Sequence, residues 1–369
     1  MDDILEKLRV LRRKDPFFAD GRILSSVCTE PSNVSIEAFR IYSDVNVLDR
    51  FVFPNCGKLE RDVIEWYGSL LGGKNLSGYV TSGGTEANIQ ALWAAKKKYP
   101  GKREILLPES AHYSLDKAAD LLELEIKWIP LDEDFRADVT SIREGVSDET
   151  LAVVLTAGTS ALGAVDPIAE VNGLCGDVFL HVDAAFAGMV LPFIEGSERI
   201  DFGLENIDSL TIDPHKMGYT PIPSGCILFR DESYMENLRF KPSYLEEPLP
   251  TLTGSRSAGL IAAVWANLMF YGVDGFRCHV GECMENTRHL MSLLEDVDGI
   301  EHVIDPVINF VALTSDSMTQ LYPLLLERGW ALSLDRETNS IRIVVMPHVT
   351  KEVLENFVGD LRECMDLIH

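Results

Sequence analysis

A chain of 369 residues, 46% of them hydrophobic, can bury a large core and is expected to form one large domain with a smaller one. That composition excludes a disordered or fibrous protein. A formal net charge of -25 excludes binding to the nucleic-acid backbone, which needs an excess of Lys and Arg on one face.

In chain order, Asp2 to Arg13 carries helical apolar spacing, and Asp20 to Asn55 reads as an irregular arm with Pro31, Asn33, Asp44 and Pro54 as turn signals. Residues 1–57 are thus expected to be a helix and an arm. The N-terminus opens on acids and passes into an Arg-bearing helix, unlike a signal peptide, and no apolar run is read as a bilayer span. A soluble, cytoplasmic protein without a membrane partner is expected.

From Lys58 onward short apolar strands alternate with helices. The strands are Gly78 to Val80, Glu104 to Leu107, Ile126 to Leu131, Leu151 to Thr156, Val178 to Asp183, Ser209 to Ile212 and Cys226 to Phe229. The helices include Glu86 to Tyr99 and Leu115 to Leu122. This alternation predicts an α/β domain with a mostly parallel sheet over 58–254. Its last part, Lys241 to Gly254, is polar and Pro-rich, a candidate mobile loop. Residues 255–369 follow as a linking helix near Ser257 to Tyr271 and a small α+β domain, with strands near Asn309 to Thr314 and Ser340 to Val345.

Seven cysteines are scattered without a Cys-x-x-Cys pair, which argues against a disulfide framework. Cys278, His279 and Cys283 are close in sequence, but adjacent residues point to different faces of a helix, so no metal site is assigned.

Four strand ends carry residues suited to chemistry. Thr81-Ser82-Gly83-Gly84-Thr85-Glu86-Ala87-Asn88 follows a strand and opens a helix, where free backbone N–H groups and the helix dipole favour an anion; an ordinary turn fits the same residues. The turn lacks a P-loop lysine and the third glycine of a dinucleotide site, so a monophosphate fits it better. His181-Val182-Asp183 ends a strand and sets Asp183 at the sheet's carboxyl edge, either to pair with a protonated ring nitrogen or to cap the next helix. Asp213-Pro214-His215-Lys216 ends another strand, placing a lysine beside an aspartate in a position suited to imine chemistry. Ser110-Ala111-His112-Tyr113-Ser114 brings a ring that can stack on a planar cofactor or simply stand at a helix entry.

Together these motifs resemble the fold-type I pyridoxal 5'-phosphate (PLP) enzymes, specifically the group II amino-acid decarboxylases and most closely the archaeal L-tyrosine/L-aspartate decarboxylases, from about Leu24 to the C-terminus. The resemblance implies a PLP cofactor, with Lys216 as the Schiff-base lysine, Asp183 as partner of the ring nitrogen and His112 stacked on the ring. It implies a phosphate loop at Gly83, Gly84 and Thr85 with Asp213 and His215 nearby. It further makes Thr159 a hydrogen-bonding group at the ring, Arg342 a contact for the substrate carboxylate, and Tyr244 a mobile-loop tyrosine that protonates the carbanion, a role His112 would fill otherwise. Arg342 reads equally as a strand arginine in an ion pair. The loop carrying Tyr244 is shorter than in aromatic amino-acid decarboxylases.

The expected reaction is decarboxylation of L-tyrosine to tyramine, toward methanofuran, or of L-aspartate to β-alanine, toward coenzyme A, by a homodimer with shared active sites. Cysteine desulfuration, aminotransfer or carbon-carbon cleavage like that of sphingosine-1-phosphate lyase would use the same cofactor. A non-catalytic scaffold would have lost key residues, and none is missing.

Overall fold

The computed structural model describes residues 1–245 and 248–368. In chain order the helices are α1 (Asp2–Arg12), α2 (Asn33–Ile41), α3 (Pro54–Leu70), α4 (Gly84–Lys98), α5 (Ser114–Leu122), α6 (Val139–Gly145), α7 (Ile168–Asn172), α8 (Ser233–Glu236), α9 (Ala258–Leu294), α10 (Met318–Glu327) and α11 (Lys351–Ile368). The chain divides into two compact units, 31–281 and a discontiguous one built from 1–30 and 282–369.

The larger unit is built on strands β1 (Ser77–Thr81), β2 (Glu104–Pro108), β3 (Glu125–Ile129), β4 (Thr150–Thr156), β5 (Phe179–Asp183), β6 (Ile207–Ile212) and β7 (Gly225–Phe229). They form one sheet in the order β1-β7-β6-β5-β4-β2-β3. Only β7 runs antiparallel to its neighbours, β1 and β6. Consequently β1, β2, β4, β5 and β6 all end on one edge of the sheet, and β7 begins there. β4 and β5 are buried along their whole length, as expected of strands covered on both faces, which explains their near-continuous apolar runs. Helix α4 joins the core through Leu92 and through Ala87, Ala91, Ala94 and Ala95, whose small side chains suit close approach to the sheet.

The arm is less irregular than its turn residues suggest. Pro31 and Asn33 flank the start of α2, where the Ser32 Oγ accepts the Ser35 N–H at 3.1 Å. What reads as a turn is thus a helix N-cap, since Ser and Asn serve both purposes.

The expectation that no apolar stretch reaches spanning length needs correction for α9, which is long and apolar enough by composition to cross a membrane. The helix breaks at Gly272 (φ 57°, ψ -173°). Ahead of that break Ala258, Ile261, Ala263, Val264 and Leu268 are buried, so apolarity here reflects a core helix.

The smaller unit contains an antiparallel sheet of β8 (Glu301–His302), β9 (Phe310–Thr314), β10 (Ser333–Asp335) and β11 (Ser340–Val344), in the order β10-β11-β9-β8. Its core holds Leu24, Trp330 and Phe357. The N-terminal segment is tied in by the backbone, with Leu24 N–H donating to the Ala331 carbonyl at 3.1 Å and Val344 N–H donating to the Leu24 carbonyl at 2.7 Å.

Candidate active site

The sheet edge collects most of the residues singled out from sequence. Asp183 terminates β5 and is almost fully buried. Its Oδ2 accepts from Asn88 Nδ2 at 2.7 Å and its Oδ1 from the Ala185 N–H at 3.1 Å. Both carboxylate oxygens are therefore fixed in direction.

Lys216 lies in the turn after β6. Its Nζ stands 3.3 Å from Asp213 Oδ2. The Lys216 N–H donates to the Asp213 carbonyl at 2.9 Å, which folds the Asp-Pro-His-Lys segment into a turn and brings the two side chains together. Asp213 is buried, and its Oδ1 has no hydrogen-bond partner among the described residues. Burial raises its carboxyl above the ordinary range, with Lys216 and His215 opposing. His215 Nδ1 donates to the Ser224 carbonyl and its Nε2 lies 3.8 Å from Asp213 Oδ2.

Gly83 and Gly84 form the turn between β1 and α4. Gly83 has φ +122°, a conformation that L side chains rarely adopt, and it caps a helix with no side-chain cap bond. A Cβ on Gly84 would lie 3.0 Å from Asp213 Oδ2 and 3.4 Å from Ala185 Cβ. Thr85 follows in the first turn of α4. Because the first N–H groups of a helix have no intrahelical acceptor, this terminus offers donors to an anion. The start of β7 completes the turn: a Cβ on Gly225 would lie 2.6 Å from Gly83 Cα.

His112 sits just before α5. Its Nδ1 pairs with Ser114 Oγ at 2.8 Å and accepts the Ser114 N–H at 3.3 Å. Burial lowers its pKa below the ordinary imidazole value, against the pull of Asp183, which favours the neutral ring. With Nδ1 accepting, the ring proton resides on Nε2. Thr159 is buried in the loop after β4, where its Oγ1 accepts the Ala164 N–H at 3.0 Å and its own hydrogen remains to donate.

Two further predicted residues lie on other elements. Tyr244 is 77% exposed. It lines a cavity of about 400 Å³ with Leu48, Phe51 and Leu249. Arg342 belongs to the smaller unit, on β11, where its Nε donates to the Ser25 carbonyl at 3.2 Å.

A buried polar group to which the sequence motifs assign no role stands behind Asp183. Besides Asp183, Asn88 Nδ2 donates to Ser114 Oγ at 2.9 Å. Its Oδ1 accepts from Thr211 Oγ1 at 2.9 Å and meets His181 Nε2 at 3.0 Å. His181 in turn meets Ser209 Oγ at 2.8 Å through Nδ1, and burial pushes its pKa down to about 4. The signal is a pair of alternations. His181 and Asp183 lie two apart on β5, Ser209 and Thr211 two apart on β6, and the strand register sets His181 beside Ser209 and Asp183 beside Thr211.

Residues 41–314 match the family described as the pyridoxal-dependent decarboxylase conserved domain, which covers well over half of the chain. The chain belongs to this family. Two relatives agree with it along their full length. A probable L-tyrosine/L-aspartate decarboxylase of Methanothrix thermoacetophila is 42% identical over 99% of this chain and 95% of its own. A probable L-aspartate decarboxylase of Archaeoglobus fulgidus is 41% identical over 98% and 99%. Among solved structures, the sphingosine-1-phosphate lyase of Burkholderia pseudomallei superposes with a TM-score of 0.91 at 26% identity, covering 99% of this chain and 90% of that one. The chain has the fold-type I architecture expected from its strand and helix order, and it is a PLP-dependent carboxy-lyase.

Proposed function

We propose that this enzyme removes the α-carboxylate of L-tyrosine, giving tyramine, or of L-aspartate, giving β-alanine, in a cytoplasmic homodimer with shared active sites. The substrates follow from the names of the full-length relatives. Tyramine would serve methanofuran biosynthesis and β-alanine coenzyme A biosynthesis.

The observation that carries the chemistry is the convergence of Lys216, Asp213, Asp183 and the Gly83-Gly84 turn on one sheet edge. PLP fits these residues. The Gly84 cradle is space that a Cβ would fill, and beside it Asp213 presents a buried carboxylate oxygen without a partner among the described residues. Lys216 Nζ would hold the cofactor covalently, Asp183 its protonated ring nitrogen, His112 its ring face and Thr159 its ring oxygen. The α4 N-terminus at Gly83, Gly84 and Thr85, with His215, would hold the phosphate.

When bound, PLP supplies an electron sink for the electron pair left on Cα as carbon dioxide departs. Asp183, held by two donors, would hold the ring nitrogen protonated with its remaining lone pairs. The neutral His112 offers Nε2–H as a donor without adding a charge beside the ring. Tyr244, exposed on its own subunit, would reach the site of the neighbouring copy and deliver the proton to Cα there.

Purified enzyme loaded with PLP should release carbon dioxide from one or both of these amino acids in a panel of all the common ones. Borohydride should trap a stable adduct on Lys216. Colourless protein with no adduct, or sulfide release from cysteine in place of carbon dioxide, would overturn the reading.

A further inference from the structure

We propose that Asn88 is the positioning residue of this site, fixing the direction of the Asp183 carboxylate and of the Ser114 hydroxyl that holds His112. The inference deepens the function proposed above and rests on Asp183 and His112 serving as the cofactor's ring partners.

The side chain of Asn88 is buried with every bonding position used. A primary amide has two hydrogens and two oxygen lone pairs, and here the hydrogens go to Asp183 Oδ2 and Ser114 Oγ while the oxygen meets Thr211 Oγ1 and His181 Nε2. Its orientation is not arbitrary. Asp183, at 2.7 Å, can only accept when ionised, so the amide must turn its nitrogen toward it.

The rest follows by conservation of donors. Asn88 Oδ1 then accepts, so His181 must carry its proton on Nε2, and its Nδ1 accepts from the Ser209 hydroxyl at 2.8 Å. On the other side Ser114 Oγ receives a hydrogen from Asn88 and passes its own to His112 Nδ1 at 2.8 Å. One amide therefore aligns two chains, Ser209 to His181 to Asn88 to Asp183, and Asn88 to Ser114 to His112. The titratable groups around it are Asp183, His181 and His112; Lys216 and Asp213 act on His112 through space. In a buried network of this kind every member depends on the others being satisfied.

Asn88 lies on α4, one turn after Gly84. Its backbone belongs to the helix whose N-terminus forms the anion turn, while its side chain reaches the ends of β5 and β6. The same helix thereby sets both ends of the site.

The test uses the PLP-loaded enzyme with Asn88→Asp, Asn88→Ala and Thr211→Val. Asn88→Asp is isosteric but puts an oxygen against Asp183 Oδ2, and Thr211→Val removes one anchor of the amide while leaving Asp183 intact. The readouts are the visible absorption band titrated with pH, the PLP dissociation constant, kcat and KM separately, and melting of the cofactor-free protein. We expect Asn88→Asp and Asn88→Ala to move the pH midpoint of the visible band by more than about half a unit and to lower kcat by at least about 100-fold with KM within about threefold. Thr211→Val should shift both in the same direction by a smaller factor. Folded variants with wild-type spectra, pH midpoints and kcat would overturn the proposal, as would Thr211→Val identical to wild type if neither Asn88 variant folds. A wild-type protein that binds no PLP would instead overturn the function proposed above, so the two failures are distinguishable.

Discussion

Lys216 Nζ lies 3.3 Å from Asp213 Oδ2, and the lysine opposes the rise that burial imposes on that carboxyl. Removing the lysine should therefore expose the cost of the aspartate. A carboxyl whose folded pKa exceeds its unfolded one favours folding while protonated, and this contribution fades as pH rises through the folded value. Cofactor-free Lys216→Met should be less stable than wild type by about 3 kcal/mol near neutral pH, the low end for a broken buried pair because Lys216 keeps some solvent contact. The gap should narrow on acidification. Chemical denaturation of both proteins across pH checks it; a gap independent of pH would contradict the coupling.

Gly84 is where added volume should act on the cofactor before it acts on the fold. An alanine Cβ would press on the buried Asp213 carboxylate at 3.0 Å, yet alanine suits the first turn of a helix. Gly84→Ala should weaken PLP binding at least about tenfold while changing the stability of the cofactor-free protein by less than about 1 kcal/mol. Absorbance titration with PLP, beside a thermal melt, separates the two effects.

His181 should make the protein sensitive to acid. Burial lowers its pKa from 6.5 to about 4, so between these values the unfolded chain binds the proton and the folded one does not. Stability from this group is complete above 6.5 and is lost as pH falls through about 4, a contribution of roughly 3 kcal/mol. Asp166, fully buried and accepting the Thr156 and Ala137 N–H groups, is raised by burial from 3.8 to about 6 and acts in the opposite sense, stabilising the fold as pH falls. The contrast between proteins is thus the informative quantity. Denaturation curves of His181→Gln should fall less steeply on acidification than those of wild type, and parallel curves would refute the assignment.

Tyr244 should matter to rate and not to folding. Its side chain is exposed, so Tyr244→Phe should leave stability within about 0.5 kcal/mol and PLP affinity unchanged. As the donor to Cα it should lower the decarboxylation rate by roughly 100-fold or more. If neighbouring copies share sites, mixing Tyr244→Phe with Lys216→Ala should regenerate activity that neither has alone. Unaltered turnover by Tyr244→Phe would remove the tyrosine from the mechanism.

The elements legible in the sequence were those whose pattern is local. The apolar runs ending in Asp183 and Ile212 are strands on both readings, because a strand buried on two faces is marked by composition alone. Lys216, Asp183 and the Gly83-Gly84 turn stood out by lying at such ends. The polar group behind them did not, since His181, Ser209 and Thr211 become neighbours only through the register of β5 on β6, which no single stretch encodes. Helix α2 was hidden for a different reason: Ser32 and Asn33 belong equally to turns and caps, and the tertiary setting decides between them.

The smaller unit draws its chain from both ends, with Leu24 paired to Ala331 and Val344 through the backbone. On the ribosome this separates the two units in time. Residues 31–281 can emerge and close around the sheet while residues 1–30 still lack the strands they will pair with. Leu24, wholly buried in the finished protein, must wait in solvent until nearly the whole chain has been made. The nascent chain is therefore expected to pass through a stage in which the seven-stranded sheet is assembled while residues 1–30 are still unpaired and open to chaperones and proteases.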